Sequence, residues 1–320
     1  LHVRFELVSF CKHTDTGCVT PATHFKMSNS SLELHKVTEE ELPLLFEYIT
    51  SHLPNTYKLH GAIYHELKGS WPGSTFYTLG WPEIRAVGEA DVDESKSKCP
   101  NFFNHVRHLN VFSPNMADLE DLLTRPDFID WLGRPILAQA NCYKSADVLE
   151  KLSHATGATN HKRVRTRLMV AYPGDIEPRP VPEGFEVRPI DPHKYAEYIT
   201  LTWPHRRKFT ESYITALIQS CHSVGIFDRE GNLVAFELEN EYAFSALLHV
   251  REDVRGLGLA TCVVSLLAQK FFKENRPIFA AVIDINKPAV GMHEKLGFKT
   301  ISYLDWYTHS MSSEKVMASY

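Results

Sequence analysis

The sequence has no marked excess of one charge and no long apolar run. Lys and Arg number 34, Asp and Glu number 39, and the formal net charge is −5. This balance gives no positive field for a nucleic-acid backbone or an anionic membrane surface. No apolar stretch approaches the roughly 18 residues that a membrane-spanning helix requires. We therefore expect a soluble protein that binds neither nucleic acid nor a membrane.

Cysteine is scarce, and its spacing is not that of a metal site. The six cysteines are scattered along the chain, with no CxxC pair and no Cys/His cluster at zinc-binding spacing. We expect free thiols and no bound metal.

The first 26 residues carry no recognisable targeting signal. They lack the compact apolar core of a signal peptide and the Arg-rich, acid-poor character of a transit peptide. The sequence begins at Leu1, and Met27 precedes the first convincing helix. Residues 1–26 are therefore interpreted as a disordered or non-native leader.

The length and composition favour two domains of mixed α/β structure. The 320 residues exceed the usual size of one domain, and a hydrophobic content of 43% is ordinary for a globular protein. Residues 173–182 contain four prolines, which are poorly tolerated inside a helix or a central strand. We therefore predict an N-terminal domain at 27–175, a C-terminal domain at 183–310 and a tail at 311–320.

Hydrophobic periodicity predicts the elements of both domains. The N-terminal domain is predicted to contain helices at 38–53, 115–123 and 145–156, strands at 61–67, 75–79 and 164–172, and an exposed acidic loop at 89–98. The C-terminal domain is predicted to follow the order βααβββαβαβ between residues 185 and 307.

A glycine-containing loop separates a predicted strand from a predicted helix in the C-terminal domain. Small residues there let the backbone turn sharply and expose its amides, and the positive end of the helix suits a pyrophosphate. A dinucleotide-binding GxGxxG turn would require Gly or Ala at the position of Thr261, which weakens that alternative. The predicted ligand-binding residues of the loop are Val250, Arg255, Gly256, Leu257, Gly258, Leu259, Ala260 and Thr261.

Two motifs in this order resemble the signatures of the GNAT superfamily. Arg255, Gly258 and Ala260 form R-x-x-G-x-A, which is similar to its CoA-binding motif, and residues 286–298 resemble its N-x-x-A…Y-E-K-L-G-F segment. From about Glu41 onward the chain resembles the glycine N-acyltransferase family. The matching stretches are 59–65, 81–82, 126–131, 202–203 and 231–238.

The resemblance implies a GNAT fold, with a mixed, mostly antiparallel sheet flanked by helices and preceded by a related α/β domain that lacks the CoA motif. It also implies transfer of an acyl group from acetyl-CoA or another acyl-CoA to the amine of glycine or a related amino acid. CoA would be the sole cofactor, and the protein would be a monomer. Mitochondria are the implied compartment, and the cytoplasm is the alternative.

Two other functions remain open at this stage. The acceptor could be another amine, such as glutamine or an aryl-alkylamine. The third hypothesis is a catalytically weak acyl-CoA-binding protein, because Phe244 occupies the place of the carboxylate that serves as general base in the glycine N-acyltransferase pattern.

Several side chains could replace the missing base. Strand alternation places His249 on the face opposite Phe244, away from the cleft. Three carboxylates on the preceding strand, Glu237, Glu239 and Glu241, could act through a water, although solvated carboxylates are common near a strand end.

The resemblance implies three further roles. His293 replaces the Tyr that protonates the departing CoA thiolate in many GNAT enzymes, and Asn286 would lie beside the pantetheine or phosphate arm unless it merely caps a helix. Trp203 and the basic loop that follows it would cover the acceptor, with Arg206 or Arg207 binding a carboxylate and Phe244 in the acceptor pocket. A solvated basic loop is the alternative.

Overall fold

The computed structural model describes residues 32–158 and 160–311, and these form two halves that repeat one order of elements. Each half follows βααβββαβαβ, and the N-terminal half inserts one short extra helix, α3. The N-terminal half consists of β1 (Leu34–Lys36), α1 (Leu42–Ser51), α2 (Tyr57–Lys68), β2 (Ser74–Leu79), β3 (Ala86–Val92), α3 (Pro100–His105), β4 (Arg107–Phe112), α4 (Met116–Leu123), β5 (Ile136–Cys142), α5 (Tyr143–Ala155) and β6 (Asn160–Ala171).

The C-terminal half repeats the pattern after the proline-rich segment, which lies between β6 and β7. It consists of β7 (Glu186–Arg188), α6 (Pro192–Thr202), α7 (Thr210–Ser220), β8 (Ser223–Phe227), β9 (Leu233–Glu239), β10 (Phe244–Val250), α8 (Leu259–Lys273), β11 (Ile278–Ile283), α9 (Lys287–Leu296) and β12 (Lys299–Ser310). The predicted C-terminal order is confirmed, and the predicted mixed, mostly antiparallel sheet flanked by helices is confirmed as well.

The two halves exchange their last strands. One sheet runs in the order β1-β2-β3-β4-β5-β12-β6-β11-β10-β9-β8-β7. Strand β6 therefore pairs with β11 of the other half, and β12 pairs with β5. Between them, β6 and β12 pair antiparallel from Lys299↔Val170 to Ser310↔Asn160. Each half thus completes the sheet of the other. The central part of the sheet, from β5 through β12, β6 and β11 to β10, therefore contains strands of both halves.

Helices of the N-terminal half also pack on strands of the C-terminal half. Tyr57 and Ile63 of α2 belong to one buried cluster with Phe244 of β10 and Phe279 of β11. The apolar stripe of α8 is buried in a second cluster, against β8, β9 and β11. None of the helices in the described residues is long and apolar enough to cross a membrane.

The strand predicted at 61–67 is wrong, because this segment belongs to helix α2. The β-branched and aromatic side chains of Ile63 and Tyr64 favour a strand locally, but tertiary packing overrides such a preference. Gly61 lets the helix lie directly against the turn that follows β9. A Cβ atom at this position would come within 1.9 Å of the Tyr242 carbonyl oxygen.

The exposed loop predicted at 89–98 is wrong in its first part. Strand β3 extends to Val92, and the Glu89 carboxylate is buried, accepting hydrogen bonds from Ser74 and Asn110. In sequence, a segment of mixed polarity that contains carboxylates resembles an exposed loop. The buried hydrogen-bond partners of Glu89 can be identified only from the structure. The leader at 1–26 and nearly all of the tail lie outside the described residues.

Candidate active site

The predicted binding loop is exposed and follows the end of β10. A short 3-10 turn at Glu252–Val254 leads into it, and α8 begins at Leu259. Gly256 and Gly258 have φ values of 82° and 83°, a backbone region in which glycine is far less strained than other residues. A Cβ atom at either glycine would meet no close neighbour, so both face open space. A ligand can therefore approach this backbone closely.

The loop also presents a row of backbone donors. Within the described part of the chain, the N–H groups of residues 256–261 have no hydrogen-bond acceptor. The Arg255 side chain, 61% exposed, lies at the start of this row. Six free N–H groups at the positive end of a helix have the geometry that favours an anion such as a diphosphate.

Strands β10 and β11 diverge next to this loop. They pair in parallel only at Phe244↔Phe279 and Ser245↔Ala280. The register between β10 and β9 shifts between Ala246 and His249, and Leu247 has a φ of 58°. The strict alternation predicted for β10 is therefore wrong, because a bulge inserts one extra residue and bends the strand.

A cavity of about 270 Å³ opens from the gap between β10 and β11. Both halves line it, as the strand exchange requires. The N-terminal half contributes Lys58, Phe102, His108, Leu137, Val164 and Thr166. The C-terminal half contributes Trp203, His205, Arg207, Tyr213, Glu241 and Phe244, together with the bulge of β10 and residues of β11 and β12.

Glu241 is the one predicted catalytic side chain that lines this cavity. It lies in the turn between β9 and β10, where the Asn240 side chain accepts hydrogen bonds from the N–H groups of Tyr242 and Phe244. Its carboxylate is buried and accepts a hydrogen bond from the Tyr213 hydroxyl. Burial alone would raise the pKa of Glu241, but contacts with His108, Tyr213 and Lys58 outweigh it and lower that pKa. The group is therefore ionised at neutral pH.

His108 of β4 connects Glu241 to Arg207. An Arg207 guanidinium N–H donates to His108 Nε2 at 2.6 Å, and His108 Nδ1 lies 3.6 Å from Glu241 Oε1. Because a guanidinium can only donate, Nε2 accepts, and the proton of the neutral ring is on Nδ1, towards Glu241. Burial lowers the pKa of His108 to about 4 despite the opposing effect of Glu241. The ring is therefore neutral at physiological pH.

Arg207, one of the two arginines predicted to bind a carboxylate, lines the cavity, and its role stays a prediction. Its guanidinium lies 3.9 Å above the Phe102 ring, and its Nε is buried without a hydrogen-bond partner in the described structure. Burial lowers the pKa of Arg207 to about 10, which leaves the group charged at neutral pH. Arg206, by contrast, is exposed outside the cavity lining and donates to the Leu201 carbonyl.

Two further residues that were predicted for the acceptor pocket, Trp203 and Phe244, line the same cavity. Trp203 lines the cavity and stacks on Tyr213 with ring centroids 6.0 Å apart. Phe244 lines it as well, fixed between Tyr57 and Phe279 at 4.5 and 5.7 Å between centroids. An aromatic side chain thus fills the position of the expected base and carries no titratable group.

Three candidate bases lie outside the cavity lining. Glu237 of β9 is buried and accepts a hydrogen bond from the Ser245 hydroxyl. His249 stacks on Phe236, with ring centroids 5.4 Å apart. Glu239 is buried, accepts two hydrogen bonds of 3.0 Å from Arg276, and accepts one from the His222 N–H. These contacts give Glu239 a structural role in joining β9 to the end of α8.

The two predicted residues of α9 also make contacts within their own helix. Asn286 caps it by accepting a hydrogen bond from the Ala289 N–H at 3.2 Å, which is the alternative given for it above. His293 is buried, and its Nδ1 donates to the Ala289 carbonyl at 2.8 Å. Burial lowers the pKa of His293, so the ring is neutral at neutral pH. Protonation of the thiolate by His293 stays a prediction.

Sequence reasoning missed Lys58, His108 and Tyr213. None of them belongs to a motif, and each comes from an element remote in the chain from the binding loop. In the described residues, no group of three His, Cys, Asp or Glu side chains is placed to hold a metal ion.

The Glu239 contacts lead to a stability prediction. We expect Glu239→Ala to lower the free energy of unfolding by about 2 kcal/mol, because the two hydrogen bonds from the half-buried Arg276 to Glu239 Oε1 are lost and Arg276 keeps only Glu274 as partner. Urea unfolding measures this change. The control is Glu186→Gln, which removes one charge of the exposed ion pair between Glu186 and Arg188 and should change the free energy of unfolding by less than about 0.5 kcal/mol. Turnover per folded molecule should stay at the level of the unsubstituted protein. A loss of turnover with unchanged stability would instead place Glu239 in the chemistry.

Comparison with known proteins places this arrangement in a fold class. An X-ray structure of a Drosophila protein is similar at a TM-score of 0.76 and 17% identity, covering 88% of this chain and 99% of that chain. A tandem GNAT protein from the clavulanic acid biosynthesis pathway has a TM-score of 0.52 at 14% identity, covering 89% of this chain and 100% of that one. A GCN5-related N-acetyltransferase from Sphaerobacter thermophilus has a TM-score of 0.53 at 11% identity, with coverages of 91% and 99%.

The chain therefore has the fold of the GNAT superfamily of acyltransferases, in a two-domain arrangement. Residues 223–307, which include β10, the binding loop and α8, match the model of the FR47-like protein family. No curated protein matches the chain.

Proposed function

We propose that this protein is an acyl-CoA-dependent N-acyltransferase whose acceptor is glycine or a related amino acid. One observation carries the proposal. Strand β10 connects two features: its residues 244–248 line the cavity that contains Glu241 and Arg207, and its end at Val250 leads through a short 3-10 turn to the row of free N–H groups at residues 256–261. An anion site, an open sheet edge and a buried polar cavity in this order suit a long substrate with a diphosphate at one end and a reactive acyl group at the other.

The loop residues fit coenzyme A. The free N–H groups of residues 256–261 would hold the diphosphate, with Arg255 beside it, and the open space at Gly256 and Gly258 lets phosphate oxygens reach the backbone. The bulge at Leu247 leaves an extra residue of β10 outside the strand pairing at the cavity wall. This is where the thioester carbonyl would meet backbone donors.

The charges of the cavity favour an amino acid as acceptor. The buried Arg207 Nε can donate to a carboxylate, while the ionised Glu241 attracts the amino group. An aryl-alkylamine would leave Arg207 without a partner, which is costly for a buried donor. Glutamine, however, has the same amino and carboxyl groups as glycine, so both acceptors fit this pair of charges.

The chemistry follows the usual course of amide formation. The acceptor nitrogen attacks the thioester carbon, a C–N bond forms, the C–S bond breaks, and CoA leaves as a thiolate that takes up one proton. Solvent supplies this proton when His293 is neutral, because the one N–H of the neutral ring donates to the Ala289 carbonyl, and the predicted protonation by His293 would require its imidazolium form. Phe244 cannot take the proton that the nitrogen loses, and another group of the cavity must do so.

Thiol release measures the activity directly. Acetyl-, benzoyl- and phenylacetyl-CoA are each incubated with glycine, glutamine and phenylethylamine, and the product is identified by mass spectrometry. We expect turnover with the amino acids, and none with phenylethylamine. Turnover specific for phenylethylamine would select the arylalkylamine hypothesis. Binding of all three thioesters without turnover would favour the catalytically weak acyl-CoA-binding protein, because Phe244 leaves the usual position of the base without a carboxylate.

A further inference from the structure

Helix α2 of the N-terminal half occupies the neighbourhood of the missing base. Tyr57, in its first turn, packs against Phe244 with ring centroids 4.5 Å apart and an angle of 45° between the ring planes. Gly61 brings the helix so close to the turn after β9 that any side chain there would collide with the Tyr242 carbonyl. The first turn of α2 therefore has a fixed position over the start of β10.

Lys58 follows Tyr57 and extends into the cavity from this fixed position. It lines the cavity with only 5% of its surface exposed. Its Nζ lies 4.1 Å from the centroid of the Tyr242 ring and 5.3 Å from that of Trp306. Both rings come from the C-terminal half, so the amine of one half is held by aromatic side chains of the other.

The surroundings of Lys58 suit a group that changes its protonation state. Burial lowers the pKa of Lys58 to about 7, while Glu241 and Glu89 act in the opposite direction. His108 also faces it from β4, but that ring is neutral. A base works best when its pKa lies near the working pH. A substantial fraction of Lys58 is therefore neutral at pH 7, and the ionised Glu241 stabilises the ammonium that forms when Lys58 takes a proton. Glu89 is only partly ionised at this pH, because burial raises its pKa to about 7.

The other titratable groups of the cavity suit this task less well. His108 already accepts at Nε2 from Arg207 and carries its proton on Nδ1. The Tyr213 hydroxyl donates to Glu241, and burial raises the pKa of Tyr213. The pKa of Glu241 is lowered and that of His205 lies at about 4, so both are weak bases at neutral pH.

We propose that Lys58 is the catalytic base of this enzyme and that the N-terminal half supplies it in place of the strand carboxylate lost at Phe244. The inference rests on the proposed function. Lys58 Nζ, as a neutral amine, accepts the proton that the acceptor nitrogen loses as the C–N bond forms. The C–S bond breaks, and the thiolate takes up one proton from solvent. Lys58 then returns its proton to solvent, and no oxidant or further reactant is required.

Substitution tests this role with the full chain. Lys58→Met removes the amine but keeps an unbranched apolar side chain, and Lys58→Arg keeps the charge but cannot release a proton at neutral pH. The substrates are the thioester and acceptor of the panel above that turn over fastest. We expect both variants to lower kcat/KM by about 100-fold. The control is Lys68→Met, on the same helix but paired with Glu274 outside the cavity, and it should retain full activity. Affinity for acetyl-CoA should be unchanged in all three variants, which also shows that they fold.

The pH dependence separates a base from a mere binding group. A base must be deprotonated, so kcat/KM of the unsubstituted protein should rise with pH through about 7 and then level off. This limb should disappear in Lys58→Met. A variant with a raised KM, unchanged kcat and the same limb would overturn the proposal and make Lys58 a binding residue.

A direct titration tests the proposal without turnover. The protein is labelled with ¹³C at lysine Cε, and the signal missing from Lys58→Arg identifies Lys58. We expect its midpoint near pH 7. A midpoint near that of free lysine, about 10.4, would overturn the base role even if the enzyme is active. If no pair in the panel turns over, the proposed function fails along with this role, whereas turnover that survives Lys58→Met overturns the role of Lys58 alone.

Discussion

Gly258→Val should abolish tight binding of coenzyme A while leaving the fold intact. Gly258 has a φ of 83°, where a β-branched residue is strained by roughly 1–2 kcal/mol, so the loop will adopt another conformation. The free N–H groups then lose their common direction. Losing two charge-assisted hydrogen bonds, each of about 1.5–3 kcal/mol, weakens binding by at least about 100-fold. Isothermal titration calorimetry with acetyl-CoA measures the change.

A second glycine provides a matched control for this substitution. Gly174 has a φ of 96°, a Cβ atom there would meet no neighbour within 4 Å, and it lies in the turn after β6. Gly174→Val therefore introduces similar strain away from the loop, and its affinity for acetyl-CoA should equal that of the unsubstituted protein. If Gly258→Val also binds acetyl-CoA normally, the diphosphate is not held by this loop, and the proposed function loses its main support.

The repeated order of elements makes the single binding loop informative. In the N-terminal half, β4 is followed by only three residues before α4 begins at Met116. The Asn115 side chain caps this helix by accepting from the Ala117 N–H. One of the helix N–H groups is thus already satisfied, and the connection is too short to form a row like that at residues 256–261. We therefore infer one diphosphate site for two halves, with the N-terminal half serving the acceptor side.

The parts of the site that lie close together in the chain could be predicted from the sequence. The loop from Arg255 to Thr261 and the helix after it form a local unit, so their residue types and spacing determine the geometry. The two strands that diverge beside it were also predicted, but the bulge at Leu247 was not. An extra residue in one strand can be recognised only from the pairing with the neighbouring strand, and here it lies opposite Glu237 of β9.

The exchange of strands could not be predicted by the same reasoning. Residues 298–307 have the pattern of a last strand whether they pair within their own half or with β5 and β6, because hydrophobic alternation is the same for either neighbour. Lys58 and His108 reach the cavity only as a result of this exchange and of the close approach at Gly61. In sequence they resemble an ordinary helix lysine and an ordinary strand histidine.

Glu241→Gln should cause the largest loss of turnover among single substitutions in the cavity. The carboxylate stabilises the Lys58 ammonium that forms in the proposed proton transfer and attracts the amino group of the acceptor, so its removal weakens both interactions in the transition state. Losing two charge-assisted interactions of about 1.5–3 kcal/mol each should lower kcat/KM by about 1,000-fold, equivalent to about 4 kcal/mol. The affinity for acetyl-CoA should not change, because Glu241 is remote from the binding loop. Steady-state kinetics and calorimetry on the same preparation measure both quantities.

Tyr213→Phe distinguishes the charge of Glu241 from its position. This variant removes the hydroxyl that donates to Glu241 but keeps the ring that stacks on Phe102, with centroids 4.3 Å apart. The carboxylate then keeps its charge and loses one hydrogen bond, so kcat/KM should fall by about 10-fold, equivalent to about 1.4 kcal/mol. If Tyr213→Phe were as inactive as Glu241→Gln, the hydroxyl itself would take part in the reaction. If Glu241→Gln were fully active, the negative charge at the junction of the two halves would have no role in acyl transfer.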